Sequence, residues 1–298
     1  NVTAGYFVIK EIDKASPKIY IVAAQGQGGD NIIRLLGYQP ADKGLGKLEF
    51  VGIIQGLTGA AVQGNSSGGT SVAAGDLDGD GLDELVVAQM NGEKATTLFQ
   101  VLDLGMSEGN VVVTSRTSPM PAMPEGYRGL GGVNLAVGDV NNDGRDELIV
   151  ASAGMPDGAN GDPNLKNLIR VFSAQTDKSN QIVSIEPITD PILVLGPDRN
   201  PSGGLHIDAG NLDNEPGDEL AIGTQAILLL SEDGEVTVEH EAPAAIVRGF
   251  KLLFDEKGRF AGQKTVVPPF KAFAGEFLPG SGSVAVSIYT VNADAFLN

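Results

Sequence analysis

An acidic stretch of 14 residues occurs three times in this chain, and it constrains the fold more than any other feature. The copies begin at Gly75, Gly138 and Gly210 and read GDLDGDGLDELVVA, GDVNNDGRDELIVA and GNLDNEPGDELAIG. A pair of glycines and a short apolar segment precede each copy. Recurrence of one such unit is typical of repeat architectures, in which each unit buries its apolar faces against its neighbours.

Weaker copies extend the repeat to both ends of the chain. Glu11 and Asp13 precede an apolar segment near the beginning, and Glu276 precedes another near the end. The first loop positions then fall at residues 11, 76, 139, 211 and 276, at intervals of 65, 63, 72 and 65 residues. We predict one domain over residues 1–298, with repeats that start near residues 5, 70, 133, 205 and 270.

Each repeat is predicted to form four short β-strands. In the repeat that starts near residue 133, they are expected at residues 133–138, 147–152, 168–172 and 181–185, which are rich in Val, Ile and Leu and bounded by turn residues. The 41 Gly and 16 Pro leave little room for long helices. Four strands in about 65 residues describe a propeller blade.

The sequence therefore predicts an all-β fold, a β-propeller of four-stranded blades with about five repeats. It is either a five-bladed ring or part of a larger propeller. A hairpin insertion is expected at about 225–249 in the fourth repeat. A β-sandwich is the alternative, but it gives no reason for the near-constant interval.

Composition excludes several classes of protein. Lys and Arg total 20 against 38 Asp and Glu, a formal net charge of −18, so we expect no nucleic-acid partner. The absence of Cys excludes disulfides and thiolate metal sites. No apolar run reaches the roughly 18 residues of a spanning helix, so we expect no membrane insertion of this segment. Because the chain begins with Asn1, we interpret it as a processed protein or a piece of a larger one.

The acidic residues of two loops alternate as ligands for a hard cation do. Like charges about 4 Å apart repel by about 1 kcal/mol even at high dielectric, and a divalent cation removes that repulsion. The spacing of positions 1, 3, 5, 7 (a carbonyl) and 9, with Gly at 6, begins the calcium-loop pattern. We predict Ca²⁺ on Asp76, Asp78, Asp80, Leu82 and Glu84, and on Asp139, Asn141, Asp143, Arg145 and Glu147. Ordinary acidic turns are the alternative.

A third loop keeps only part of this pattern. Asn211 replaces the leading acid, and Pro216 replaces the turn glycine. Proline cannot adopt positive φ, so the loop must curl differently. Metal binding is left open for its ligand positions, which are Asn211, Asp213, Glu215, Gly217 and Glu219. We expect no metal at Glu11 or Glu276.

These repeats resemble the FG-GAP (VCBS) repeat, which occurs in the β-propeller of integrin α subunits and in many bacterial surface proteins. The resemblance covers essentially the whole chain and is strongest over residues 70–152 and 203–224. It implies blades with structural calcium in their loops and a location outside the cell or on its surface. Propellers of this family usually have seven blades, whereas only five repeat starts are found here.

We therefore predict a calcium-binding extracellular or cell-surface propeller that acts as an adhesion or protein-interaction module. Its expected partners are a protein or glycan ligand, or other domains of the same larger protein. A carbohydrate-binding or carbohydrate-active propeller, of the lyase or glycosidase type, is one alternative. An architectural domain of a larger envelope protein is another. We expect no enzyme, because the two His lack metal-ligand spacing and aromatic residues are only 5%.

The long segment 105–132 is the candidate partner-binding region. Its Met120, Met123, Tyr127 and Arg128 are residue types favoured in protein interfaces. The alternative is that the two methionines fill gaps between blades. The sequence leaves both interpretations open.

Overall fold

The computed structural model describes residues 2–7, 18–26, 31–39, 46–58, 69–89, 97–108, 110–123, 132–153, 167–195, 204–224, 228–230, 236–238 and 246–271. Within these ranges the strands pair into antiparallel β-sheets, which are joined by loops and turns. None of the described segments is a helix with the length and apolar character needed to cross a membrane.

Four sheets follow one another along the chain, and each contains the strands of one repeat. Sheet 1 consists of β1 (Val2–Phe7), β2 (Lys18–Ala24), β3 (Ile32–Gln39) and β4 (Lys47–Gln55). Sheet 2 consists of β5 (Thr70–Gly75), β6 (Glu84–Gln89), β7 (Leu98–Ser107) and β8 (Asn110–Arg116), with the short β9 (Met120–Pro121) paired to β7.

Sheets 3 and 4 repeat this order with small additions. Sheet 3 consists of β10 (Val133–Gly138), β11 (Glu147–Ser152), β12 (Leu168–Thr176) and β13 (Ile182–Pro187), with the short β14 (Ile192–Leu193) paired to β12. In sheet 4, β15 (Leu205–Gly210) and β16 (Glu219–Thr224) precede a separate hairpin of β17 (Leu228–Leu230) and β18 (Val236–Val238). Sheet 4 is then completed by β19 (Ile246–Phe254) and β20 (Phe260–Lys271).

The predicted fold class, an all-β chain of four-stranded antiparallel sheets, is confirmed. Strands β10 and β11 begin and end where the sequence predicts. The insertion is shorter than predicted, because Val247 and Gly249 already pair with β16. A fifth repeat lies outside the described residues, so the five-repeat domain remains a prediction.

The sheets stack side by side, as blades do. The first strands β1, β5, β10 and β15 contact one another in that order. Between sheets 1, 2 and 3, strand β6 is buried at every residue: Leu85 and Val87 pack toward sheet 1, and Val86 and Ala88 toward sheet 3. A strand covered on both faces must be apolar on both, which explains its uninterrupted apolar run.

The second glycine of each repeated glycine pair allows a close approach between sheets. Gly69, Gly132 and Gly204 have φ values of 89°, 74° and 76°, a region that favours glycine. A Cβ atom at Gly69 would lie 2.8 Å from the carbonyl oxygen of Gln25 in sheet 1. The Thr70 N–H donates to that same oxygen at 2.9 Å. The glycine at position 69 is therefore explained by its contact with the neighbouring repeat.

Candidate metal centre

The 76–84 loop joins β5 to β6 and is closed by the side chain of Asp76. Its Oδ1 accepts hydrogen bonds from the backbone N–H groups of Gly79 at 2.8 Å and Asp80 at 3.0 Å. Its Oδ2 accepts from the Gly81 N–H at 2.9 Å. Gly79 and Gly81 have φ values of 79° and 87°, so glycine is needed at both points of this turn. The curl brings Asp76 and Asp78 close to Glu84, whereas the predicted ligand Asp80 does not belong to that group.

Three carboxylates of this loop converge closely enough to bind one ion. Ligand oxygens of Asp76, Asp78 and Glu84 all lie within 4.8 Å of one another. Asp78 is 8% exposed and Glu84 is 5% exposed, so two of the three groups are largely removed from water. A buried cluster of oxygen ligands suits a hard cation such as Ca²⁺.

The electrostatics of the cluster also favour a cation. Burial, together with the charge of Asp78, raises the pKa of Glu84 to about 9. Burial, with the charge of Asp80 next in importance, raises the pKa of Asp78 to about 6. Charged carboxylates in such a setting are unfavourable unless they take up a proton or bind a positive charge.

Asp103 on β7 adds a carboxylate that the sequence pattern did not indicate. Leu102 pairs with Leu85, which places Asp103 opposite the start of β6 at Glu84. Burial raises the pKa of Asp103, a hydrogen bond from Ser115 opposes this shift, and the charge of Asp80 adds to it. Strand register brings Asp103 to the loop, and a pattern within one loop contains no information about register.

The 139–147 loop, between β10 and β11, has the same construction. Asp139 Oδ1 accepts from the Asp143 N–H at 3.0 Å, and its Oδ2 accepts from the Gly144 N–H at 3.0 Å. Asn142 and Gly144 have φ values of 60° and 86°. Asparagine tolerates the left-handed region better than most residues, so it can stand where the first loop has Gly79.

The second loop has a buried glutamate at the same position, but Asp139, Asp143 and Glu147 do not converge as the three carboxylates of the first loop do. Glu147 is fully buried, and burial together with the charge of Asp143 raises its pKa to about 8. The Asn141 amide donates from Nδ2 to Glu147 Oε1 at 2.7 Å. Its Oδ1 is buried and has no hydrogen-bond partner among the described residues. The same Nδ2 donates to Asp143 Oδ2 at 3.2 Å, so the nitrogen end of the amide faces the carboxylates, and Oδ1 would have to turn toward them to bind a cation.

The predicted carbonyl ligands occupy equivalent turn positions in the two loops. The Leu82 N–H donates to Asp80 Oδ1 at 2.9 Å, and the Arg145 N–H donates to Asp143 Oδ1 at 3.0 Å. The carbonyl roles of Leu82 and Arg145 stay predictions. The Arg145 side chain forms a partly exposed ion pair with Asp143 at 3.5 Å, a kind of contact that contributes little to stability.

The 211–219 loop, between β15 and β16, differs in the way its proline requires. Asn211 Oδ1 accepts from the Asn214 N–H at 2.6 Å, and its Nδ2 donates to the Glu215 carbonyl at 2.7 Å. The second positive φ falls on Gly217, at 86°, one residue later than in the other loops. Pro216 has moved the turn along the chain.

A lysine side chain also contacts the ligand positions of this third loop. Lys251 Nζ on β19 donates to Glu219 Oε1 at 2.5 Å and to the Gly217 carbonyl at 2.9 Å. Asp213 Oδ1 lies 3.8 Å from the same nitrogen. Three of the five candidate ligands therefore already face a positive charge, so this loop does not fit a metal ion as the first loop does.

The eighth residue of each described loop is an aspartate that connects its sheet to the preceding one. These aspartates are Asp83, Asp146 and Asp218. Between sheets 3 and 2, the Asp146 N–H donates to the Asp76 carbonyl at 2.9 Å, and Asp146 Oδ2 accepts from the Asp76 N–H at 2.9 Å. Asp218 makes the same pair of bonds to Asp139, at 2.8 and 3.1 Å. The repetition of this aspartate is visible in the sequence, but its partner in another repeat is not.

The same pair of bonds identifies the equivalent position in sheet 1. The Asp83 N–H donates to the Tyr6 carbonyl at 2.9 Å, and the Tyr6 N–H donates to Asp83 Oδ2 at 2.6 Å. Tyr6, rather than Glu11, therefore occupies the place of Asp76 in the first repeat. Glu11 itself lies outside the described residues, as does Glu276.

The candidate partner-binding residues are only partly described. Met123 is 2% exposed and belongs to the core between sheets 2 and 3, and Met120 packs against that core. The burial of Met123 favours the alternative that this methionine fills a gap between the sheets. Tyr127 and Arg128 lie outside the described residues.

Comparison with known proteins identifies one stretch of the chain. Residues 68–97 match the family model described as the FG-GAP repeat. They include β5, the 76–84 loop and β6. A search of curated proteins finds no match. An FG-GAP repeat in four-stranded sheets indicates a β-propeller of the protein-interaction type. The chain therefore contains an FG-GAP repeat, within an all-β fold of stacked four-stranded blades.

Proposed function

We propose that this chain is a calcium-stabilised β-propeller that acts outside the cell as an adhesion or protein-interaction module. Calcium has a structural role here: it holds the 76–84 and 139–147 loops in the curled form. The carboxylates of these loops act as ligands rather than as an acid–base pair, and we propose no catalytic activity.

The observation that carries the proposal is the convergence of Asp76, Asp78 and Glu84 within 4.8 Å. The pKa of Glu84, raised to about 9 by burial and Asp78, supports it, because the buried charge needs compensation. At the second loop the support is the fully buried Glu147, whose pKa is raised to about 8 by burial and the charge of Asp143.

The proposed extracellular location is supported by the FG-GAP match and agrees with the affinity of calcium loops in extracellular modules. Calcium loops of extracellular modules bind with dissociation constants on the order of 10⁻⁴ to 10⁻³ M. Sites of this strength fill outside a cell and stay largely empty in the cytosol. At tenfold excess over its dissociation constant, each ion stabilises the fold by about 1.4 kcal/mol.

The test is a calorimetric titration of the chelator-stripped chain with calcium, followed by thermal melts with and without the ion. We expect binding in the 76–84 and 139–147 loops and a higher Tm with calcium. Glu84→Gln and Glu147→Gln should each remove one ion. Glu186→Gln, at an exposed position on β13, is the matched control and should leave binding unchanged. No binding at millimolar calcium would overturn the metal assignment.

The interaction role needs a separate test. The immobilised, calcium-loaded chain is presented with a panel of extracellular-matrix proteins and a panel of polysaccharides, and binding is measured with and without chelator. Saturable, calcium-dependent binding to a protein supports the proposed module. Turnover of a polysaccharide would instead establish the carbohydrate-active alternative.

A further inference from the structure

One position on the third strand of each blade faces the glutamate that ends the acidic loop. The residue after that glutamate pairs across the sheet with the third strand: Leu85 with Leu102, Leu148 with Phe172, and Leu220 with Phe250. The next residues on the third strands are therefore structurally equivalent; they are Asp103, Ser173 and Lys251. Sheet 2 has a carboxylate at this position, sheet 3 a hydroxyl and sheet 4 an ammonium group.

In sheet 4 the residue at this position is Lys251, and its side chain contacts the buried glutamate of the loop. Glu219 is fully buried, and the Lys251 side chain is only 15% exposed, so the 2.5 Å contact between them is shielded from water. The other Glu219 oxygen, Oε2, accepts from the Leu212 N–H at 2.7 Å. Both oxygens of the buried carboxylate are thus occupied without any ion.

We propose that the Lys251 ammonium is the resident cation of the 211–219 loop and takes the place that calcium has in the other two loops. It donates to the Glu219 oxygen and the Gly217 carbonyl, which are lone pairs that a metal would otherwise use. A divalent ion at the same point would meet a like charge at contact distance. Sheet 4 therefore keeps its loop folded without calcium, and the described loops bind two ions rather than three.

The test distinguishes the role of Lys251 from the proposed calcium function. Only the expected number of bound ions rests on that proposed function. The wild-type chain and Glu219→Gln are titrated with calcium, and Lys251→Ser, which introduces the residue of sheet 3, is melted in chelator. We expect E219Q to bind as many ions as the wild type, and the Tm of K251S to be lowered by several degrees in chelator, because Glu219 loses its partner. Lys257→Ser, at an exposed turn, is the matched control and should melt like the wild type.

If K251S does not fold, K251S/E219Q, which removes both charges of the pair, should fold again; if K251S folds, a double-mutant cycle measures the coupling. Glu219→Gln and the K251S/E219Q pair complete the cycle, and the pair should be more stable than the sum of the two single effects predicts. Additive effects, or a Tm of K251S equal to that of K257S, would overturn the assignment, as would the loss of one bound ion in E219Q. No bound ion at all would contradict the calcium function alone, since the chelator melts and the cycle would still decide the role of Lys251.

Discussion

At the scale of single residues, stability and cation binding depend on the same buried glutamates. Glu84 and Glu147 each begin a strand, and each accepts a hydrogen bond from its own loop, from the N–H of Leu77 at 2.9 Å and of Asn141 at 3.2 Å. In each case this hydrogen bond holds the carboxylate in its buried position. In the metal-free chain such a group is more stable with a proton than without one.

The stability of the metal-free chain should therefore decrease as pH rises. Burial and neighbouring charges raise the pKa of Glu84 to about 9 and that of Glu147 to about 8, from the ordinary glutamate value of 4.5. The folded chain thus holds protons that the unfolded chain releases above about pH 4.5, so the free energy of unfolding falls from about pH 5 to about pH 9. Thermal melts of the desalted, calcium-free chain across this range measure the effect.

The control for the pH prediction is the double variant Glu84→Gln and Glu147→Gln. Its Tm should change much less with pH, because an amide does not titrate. Calcium should also flatten the wild-type profile, since the ion replaces the proton as compensation. A Tm of the calcium-free wild type that rises between pH 5 and pH 9 would contradict the prediction.

At the scale of elements, neighbouring sheets are joined by the aspartate at position 8 as well as by apolar packing. Burial raises the pKa of Asp146 to about 6, and the hydrogen bond from the Asp76 N–H opposes that shift. The carboxylate passes beside a glycine of the preceding sheet. A Cβ at Gly5 would lie 2.7 Å from Asp83 Oδ2, and a Cβ at Gly138 would lie 2.7 Å from Asp218 Oδ2.

Replacing the aspartate should weaken the joint between sheets. Asp146→Ala removes the acceptor of the Asp76 N–H and is expected to lower the free energy of unfolding by about 1–3 kcal/mol. Asp146→Asn should cost less, because its amide oxygen can still accept that hydrogen bond. Urea unfolding measures both, with Glu186→Ala on exposed β13 as the control. Equal stabilities of the alanine and asparagine variants would show that the bond does not matter.

Filling the space beside the aspartate should also be destabilising. Gly138→Ala places a methyl group 2.7 Å from Asp218 Oδ2 and 2.9 Å from Ala209 Cβ, and we expect a loss of about 1–3 kcal/mol in urea unfolding. Gly26→Ala is the matched control, because a methyl group at that position would have no atom within 4 Å among the described residues. If Gly138→Ala and Gly26→Ala are equally stable, the close approach of the two sheets does not determine the effect of Gly138→Ala.

At the scale of the whole molecule, the acidic loops form a row along one end of the stacked sheets. Asp146 binds the backbone of Asp76, and a Cβ at Gly79 would contact the Arg145 side chain of the next loop at 2.9 Å. This row belongs to a chain of net charge −18. Repulsion along it is a cost of folding that cations relieve.

Removal of calcium should therefore lower the Tm, and salt should recover part of the loss. At 1 M salt the screening length is about 3 Å, so repulsion between loops is largely suppressed. Salt cannot replace an ion bound by buried ligands, and the recovery should be partial. Melts in chelator at low and high sodium chloride measure it. A chelated chain whose Tm does not respond to salt would show that repulsion between the loops is unimportant.

The sequence by itself determined the repeat, the strands and the acidic loops. Strands β10 and β11 lie where alternation and turn residues predict them, because these signals depend on neighbours within a few residues. The curl of the 76–84 loop is equally local: glycines at 79 and 81 allow positive φ, and Asp76 binds N–H groups three to five residues ahead.

Only the tertiary structure decided which groups from different elements meet. Asp103 and Lys251 reach their loops through strand register, and they place opposite charges beside the two loops. Asp146 finds its partner in another sheet, 70 residues away in sequence. Met123 is in the core because sheet 3 covers it. Such contacts arise from the packing of whole sheets, and a pattern within one segment cannot contain them.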